Sequence, residues 1–473
     1  MEFSSTRTVD TKGICFGCVT GDHDVTEKGV LPVMQFAICV LLCIVCFSVF
    51  ATTTRAADQP DAEGAFSAEI SDAIEASFGA DLLNRQRGQE QTDALGIIAQ
   101  SKDQRLAWII SDLMRIVTDY QFGIALGAAA SKLLEVEFDG VSAWHSLTNK
   151  LIALDIPAPP GYLSVKRRIY TLIGPKWERL FVPGFIDWRH VSWGGVHIDD
   201  RPFGTTDSPC NCIPAADNPK FSNVDKAGWL DDDAVVFGIA VNCEYRAYPR
   251  QVMEVREMVN DTLGGRHLGI PYCTLCGSAQ AYFTDDLPAG VERSVLRTSG
   301  LLIRSNKVMF DVNTFSVFDT FLGEAVTGPL AQAGVKLNQV SVVTTTWEEW
   351  KIAHPDTTVL VDALALGRDF DFRNNRDTDG PIFPIGDLDP RSAVQEDVLG
   401  VVTLSGAAVA FVVRTARTAL LRGEAIAFAN VQLKLDGGGV KAVDGNGDDV
   451  GSPQAFWFAW SQFHPNTALW HAN

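Results

Sequence analysis

The sequence predicts an α+β protein: an N-terminal all-α segment followed by a strand-rich mixed domain with partial internal repetition. Three observations carry this. From Ser67 to about Leu154 apolar residues recur at helical spacing, as in Ala107, Ile109, Ile110, Leu113, Met114 and Val117. From Ala234 onward the texture changes to short apolar runs separated by turn residues, which is the pattern of strands. The motif W-x-x-W-x-x-x-H-P-[DN]-T then appears twice, from Trp347 to Thr357 and from Trp457 to Thr467.

The chain of 473 residues is too long for one ordinary core, and its 46% hydrophobic content, with 11 Trp and 27 Phe, argues against general disorder. A formal charge of −19 disfavours nucleic-acid partners, which need phosphate-neutralising Lys and Arg surfaces. An acidic surface that keeps the protein soluble is the simpler reading.

Taken in order, residues 1–57 are expected to hold a signal peptide or an N-terminal anchor. The apolar run from Phe36 to Ala51 is shorter than the roughly 20 residues of a bilayer span and suits a signal-peptide core. Ala56 and Ala57 offer a cleavage site, and Met34 is an alternative start. The expected location is therefore extracytoplasmic, periplasmic or secreted, with membrane contact only through an uncleaved N-terminus. Cys15 and Cys18 with His23 form at most a metal fragment outside any globular domain.

Residues 58–66 read as a linker and residues 67–182 as the helical domain. Lys166, Arg167 and Arg168 on its last helix fit either a membrane-surface helix or, as we favour, a solvated face. Residues 183–216 connect the two parts. They hold His190 and His197, which either ligate a metal or plug a core edge, and Cys210-Asn-Cys212. That spacing is poor for an internal disulfide and better suited to a metal pair or to unrelated thiols.

In residues 217–473, Val235 to Val241 and Tyr245 to Pro249 read as paired strands, and Gln251 to Val259 as a short helix. Phe237 to Val241 leading to Ala247 is echoed by Leu399 to Thr403 leading to Ala410. In each Trp motif the two Trp share a helix face and Pro ends the helix just after the His. Trp350, His354, Trp460 and His464 are thus expected to be structural, each His satisfied by one backbone hydrogen bond.

The centre of interest is Leu268 to Phe283, where two period-two runs flank Cys273-Thr-Leu-Cys276-Gly277. A glycine after the second thiol suits a turn whose backbone N–H groups point at sulfur. Such a turn can present two thiolates to a metal, form a reversible disulfide, or merely brace a hairpin. Two thiolates suit zinc or copper, and Cys243, His267, Cys210, Cys212 and Glu257 are candidates for further ligands. Arg256, Glu257, Asn260 and Asp261 are expected beside the thiols at the end of the preceding helix, with Glu257 and Asp261 spaced as a carboxylate pair. Redox CxxC motifs usually open a helix, whereas the flanks here read as strands. No phosphate-binding Gly loop, GxSxG elbow or HExxH helix is present, so NTPases, ordinary serine hydrolases and zincins are disfavoured.

Several of these segments together resemble the domain of unknown function 3179 family. The resemblance rests on Ala247-Tyr-Pro249, Glu257-x-Val-Asn-Asp261, Tyr272-Cys-x-x-Cys-Gly277, Ser299-Gly-Leu-Leu302, Asn306-x-x-Met-x-Asp311, Gly323-Glu-Ala-x-x-Gly-Pro329 and both Trp motifs, from about Asp217 to Thr467. The family name implies no activity. Three positions depart from its usual pattern: Arg256 stands where His is common, Thr274 where Pro is usual, and Thr320 follows Phe318 where Trp and Gln often stand. Two functions are carried forward: a thiolate metal site at the CxxCG turn, and a non-catalytic binding or structural module whose cysteines form a turn or a disulfide.

Overall fold

A computed structural model describes residues 66–78, 88–138, 143–205, 210–362, 378, 380–403 and 405–471. The N-terminal apolar run with Cys39, Cys43 and Cys46, and the earlier Cys15, Cys18 and His23, lie outside the described residues.

The helical periodicity resolves into α1 (Ala68–Phe78), α2 (Gln89–Gln100), α3 (Ala107–Ile116), α4 (Tyr120–Leu134), α5 (Ala143–Ala153) and α6 (Tyr162–Ile173). Asp119 caps α4 by accepting from the Phe122 backbone N–H at 2.7 Å, as short polar residues at this position commonly do. None of the described helices is long and apolar enough to cross a membrane. The basic cluster on α6 is not one solvated face. Lys166 is fully buried on Asp112 of α3, at 2.6 Å, while Arg168 reaches Glu75 of α1. The helices share a core with strands far along the chain, from Ala73 through Trp108, Leu147 and Trp177 to Leu301, Phe310 and Val326.

The strand-rich part follows the sequence closely in places. Val235–Val241 and Glu244–Pro249 form an antiparallel pair, joined by Thr358–Val361 running parallel to the second strand and by Val343–Thr346 on the other side. Asp397–Val402 and Ala408–Val412 form a second antiparallel pair, joined in the same way by Ala468–Trp470 and Gln454–Phe456. Gly238 stands opposite Ala247, and Gly400 opposite Ala410. The Trp helices Trp347–Ala353 and Trp457–Phe463 lie over these glycines. A Cβ on Gly238 would stand 2.3 Å from the Trp350 ring, and one on Gly400 would stand 2.2 Å from the Trp460 ring. Each indole N–H donates at 3.0 Å to the threonine that ends its motif, Thr357 or Thr467. The spacing of the motif follows from this contact, because the ring needs a bare backbone below it and a hydroxyl beside it.

Gly238→Ala and Gly400→Ala are each expected to destabilise the protein by roughly 3 kcal/mol, as overpacking does where a ring cannot yield. Gly123→Ala in α4 meets nothing within 4 Å and is expected to stabilise by about 0.5–1 kcal/mol, because a helix interior favours Ala. Urea denaturation of the three variants checks both signs.

The predicted helix at 251–259 is shorter. It runs Arg250–Arg256, ends with Glu257 in the left-handed region (φ 50°), and gives way to the strand Met258–Leu263. That strand pairs with Arg266–Cys273 across Gly264-Gly265, and this hairpin overrides the helical spacing. Glu257 and Asp261 therefore do not share a helix face.

Candidate functional site

Cys273 ends the long strand Arg266–Cys273, and Cys276 closes a turn by donating its backbone N–H to the Cys273 carbonyl at 3.2 Å. Gly277 has φ +58°, and the Phe456 ring packs 3.0 Å from where its Cβ would be, so both conformation and space require glycine there. Opposite the turn, Leu296–Ile303 and Asn306–Asp311 form a hairpin whose tip, Arg304 and Ser305, has positive φ at both residues. The Ser305 carbonyl lies 3.2 Å from the Cys276 sulfur and 3.8 Å from the Cys273 sulfur, within reach of either thiol.

Two residues further along, Lys307 completes the site. Its ammonium pairs with the Glu257 carboxylate at 3.0 Å and also donates to the Glu257 carbonyl. Thr274 fixes the other carboxylate oxygen of Glu257 at 2.7 Å. Glu257 is thereby held by its own left-handed backbone, by a hydroxyl and by a lysine. Sterically uncommon backbone of this kind concentrates at functional sites.

The two thiols are pushed apart electrostatically. Burial works to raise Cys273, and Glu257 adds to that, but donation from the Cys276 thiol and the charge and backbone N–H of Lys307 outweigh them. Cys273 therefore lies below the ordinary thiol value. Burial drives Cys276 well above it, and its donation to Cys273 holds its proton further. A low thiol beside a high one is the division of labour between a nucleophile and a proton-bearing partner. A backbone N–H from the facing hairpin, that of Lys307, is aimed at the Cys273 sulfur.

Cys273, Glu257 and Lys307 line one cavity of about 270 Å³ together with Thr298, Ser299, Leu301 and Leu302, the 194–196 strap, and Ile382 and Phe383. Cys273 and Cys276 are 2% and 0% exposed, and Cys273 borders this cavity.

The other predicted site residues lie elsewhere. His267 is six residues up the strand from Cys273, roughly 20 Å away at strand rise, and its ring meets Thr262 at 3.0 Å. Cys243 is exposed at the turn between Val235–Val241 and Glu244–Pro249. Arg256 pairs with Asp362. Asn260 bonds Asp217 and both backbone groups of Leu296. Asp261 accepts from Tyr248 and Arg246 at 2.6 Å each.

His190 is buried and accepts from Arg304 at 3.2 Å, with burial pushing it down to about 3, while His197 stacks on Trp177. His354 stacks on Tyr245 and meets Trp350 at a tilt, and its ring partner is the Asp436 carboxylate at 2.7 Å, not a backbone group. His464 stacks on Trp460. Cys210 and Cys212 form a disulfide, contrary to expectation: a bend at Asn211 brings their Cα atoms to 5.1 Å, inside the usual range for such bonds. Among the described residues no cluster of three or more His, Cys, Asp or Glu is placed to hold a metal.

Lys307 and Ser305 were missed from sequence. The available signal was a lysine in an otherwise apolar strand, Lys307-Val-Met-Phe310. Positions where the chain departs from the usual family pattern also gather here. Thr274 holds Glu257, Thr320 donates to the Lys307 carbonyl at 2.7 Å, and Arg256 precedes Glu257.

These features define an α+β protein with a paired-thiol site enclosed between two hairpins. Residues 210–425 match the model of a family described as Protein of unknown function (DUF3179). No curated protein and no solved structure shows significant similarity to the chain.

Proposed function

We propose that Cys273 and Cys276 form a reversible dithiol–disulfide centre. The observation that carries this is the position of Cys273 on the cavity wall beside Lys307, with Cys276 behind it in the same turn. An i to i+3 turn holds its ends at a separation a disulfide can span. The motif does not open a helix, so the lowered Cys273 thiol is attributed to Lys307 and Cys276 and not to a helix dipole.

In the forward direction the Cys273 thiolate attacks one sulfur of a disulfide R–S–S–R, forming a mixed disulfide and releasing RS⁻. Cys276 then attacks the Cys273 sulfur, its proton going to the leaving thiolate. The protein loses two electrons as the Cys273–Cys276 bond forms, and the reagent is reduced to one RSH and one RS⁻, the latter taking its proton from solvent. Treating the reduced full chain with a small disulfide and mapping peptides by mass spectrometry is expected to reveal the Cys273–Cys276 bond. Cys273→Ser is expected to block the reaction, and Cys276→Ser to stall it at the mixed disulfide. Two thiols that stay reduced would end this reading.

A thiolate metal site is the second reading. The donors fit it only in part: zinc needs four ligands, whereas two sulfurs suffice for a two-coordinate cuprous ion, and Glu257 is already engaged by Lys307 and Thr274. Elemental analysis of the same preparation separates the two. We place the protein outside the cytoplasm, a reading supported by the apolar run from Phe36 to Ala51 and by the Cys210–Cys212 disulfide.

A further inference from the structure

We propose that the reagent taken by this dithiol is a small, neutral, apolar disulfide, selected by a cavity roof that the helical segment holds in place. This rests on the dithiol reading and names its substrate class. Both thiols are buried, so a protein disulfide cannot reach Cys273 without displacing part of the wall.

The wall is mostly hydrocarbon, with Leu301, Leu302, Ile382 and Phe383 facing the space. At its polar end Lys307 and Glu257 cancel one another, so a Cys273 thiolate leaves the site with net negative charge. An anionic disulfide would lose its hydration on entry, and among the described residues that line the cavity the cation it would meet, Lys307, is already paired with Glu257, which is unfavourable on both counts. Of these wall residues Ile382 is 39% exposed, whereas its neighbour Phe383 is 9% exposed.

The roof is fixed from the helices. Asn149 of α5 accepts from the Ile385 and Gly386 backbone N–H groups, both at 2.9 Å. Trp144 meets Phe383 edge to face at 5.8 Å. Arg115 of α3 lies over the rings of Trp144, Trp193 and Phe383, at 4.9, 5.6 and 5.2 Å. Its Nε also donates to the Trp193 carbonyl at 2.7 Å, directly before Gly194 of the strap. A single side chain of the helical segment thus ties together two walls of the cavity. Rotating Phe383 to admit a larger reagent would break cation–π and edge-to-face contacts at once.

The test is the rate at which the Cys273–Cys276 bond closes in the reduced full chain. The reagents are 4,4′-dithiodipyridine, glutathione disulfide and insulin, and each rate is divided by that of the same reagent with free N-acetylcysteine. After this normalisation the neutral aromatic disulfide is expected to react faster than the anionic glutathione disulfide by on the order of tenfold, with insulin slower still. Phe383→Ala and Asn149→Ala are expected to shrink that ratio severalfold while leaving the pH midpoint of Cys273 alkylation unmoved. Phe383→Leu, which keeps most of the packing, is expected to shrink it less. Equal normalised rates for all three reagents in the wild type, or a ratio that the roof variants leave unchanged, would overturn the selectivity alone. A pair that no disulfide closes would overturn both the selectivity and the dithiol reading.

Discussion

Lys307→Gln is expected to slow alkylation of Cys273 at pH 7 by roughly tenfold and to move its pH profile upward. The reactive species is the thiolate, so whatever favours it carries reactivity to lower pH. Two of the influences that lower Cys273 come from Lys307, its ammonium and its backbone N–H, and the substitution removes only the first. Donation from Cys276 also remains, so the shift is partial.

Glu257→Gln tests the opposite sign, because the Glu257 charge pushes Cys273 upward. Its removal is expected to move the profile to lower pH and to raise the rate at pH 7. Both variants keep a hydrogen-bonding side chain of similar size, so a merely structural role would move the two profiles together. Iodoacetamide labelling across pH 5–10, with the modified peptide quantified by mass spectrometry, reads out both. An unmoved Lys307→Gln profile would remove Lys307 from the site.

What the sequence made legible was local. The strand Val235–Val241 has the bounds its alternation predicts, and the glycine after Cys276 marks the turn that presents the thiols. The repeated Trp motif was legible as a pattern, but its cause, a ring laid on Gly238 or Gly400, lies more than fifty residues away along the chain. The helix at 250–256 was overextended because Val259 fits a helical stripe and a strand equally well, and pairing with Ile270 decided the matter. Spacing misled at Cys210-Asn-Cys212, where one bend suffices for a bond.

The site was only half legible for the same reason. Glu257 and the two cysteines are close in sequence, whereas Lys307 and the Ser305 carbonyl arrive on another hairpin, and Arg115 and Asn149 act on the cavity from helices more than a hundred residues before it. Periodicity reports which face of an element is buried. It does not report which buried faces meet.

The basic cluster on α6 gives the largest expected loss of stability. Lys166→Met should destabilise the protein by about 3–5 kcal/mol, the usual consequence of removing one partner of a buried ion pair. Lys166 has no exposed surface, and its ammonium lies 2.6 Å from Asp112 and 3.1 Å from the Tyr162 hydroxyl, which itself donates to Asp112 at 2.8 Å. A methionine fills the space and leaves the carboxylate without its cation.

Adding Asp112→Asn should recover most of the loss, since the neutral amide still accepts from Tyr162 and no charge remains buried. The pH dependence has a definite sign. Burial raises the Asp112 carboxyl above its ordinary value, and Lys166 opposes that rise. Without Lys166 the folded protein holds the Asp112 proton to higher pH than the unfolded chain does. Stability then falls as pH rises above the unfolded value, and the deficit of Lys166→Met should be smaller at pH 5 than at pH 7. Denaturant titrations of the single and double variants at both pH values measure this. Because α3 carries both Asp112 and Arg115, Lys166→Met should also loosen the cavity roof and admit glutathione disulfide faster, which the double variant should reverse. A single variant as stable as the wild type, or one whose deficit grows toward low pH, would show that the buried pair is not ionised as described.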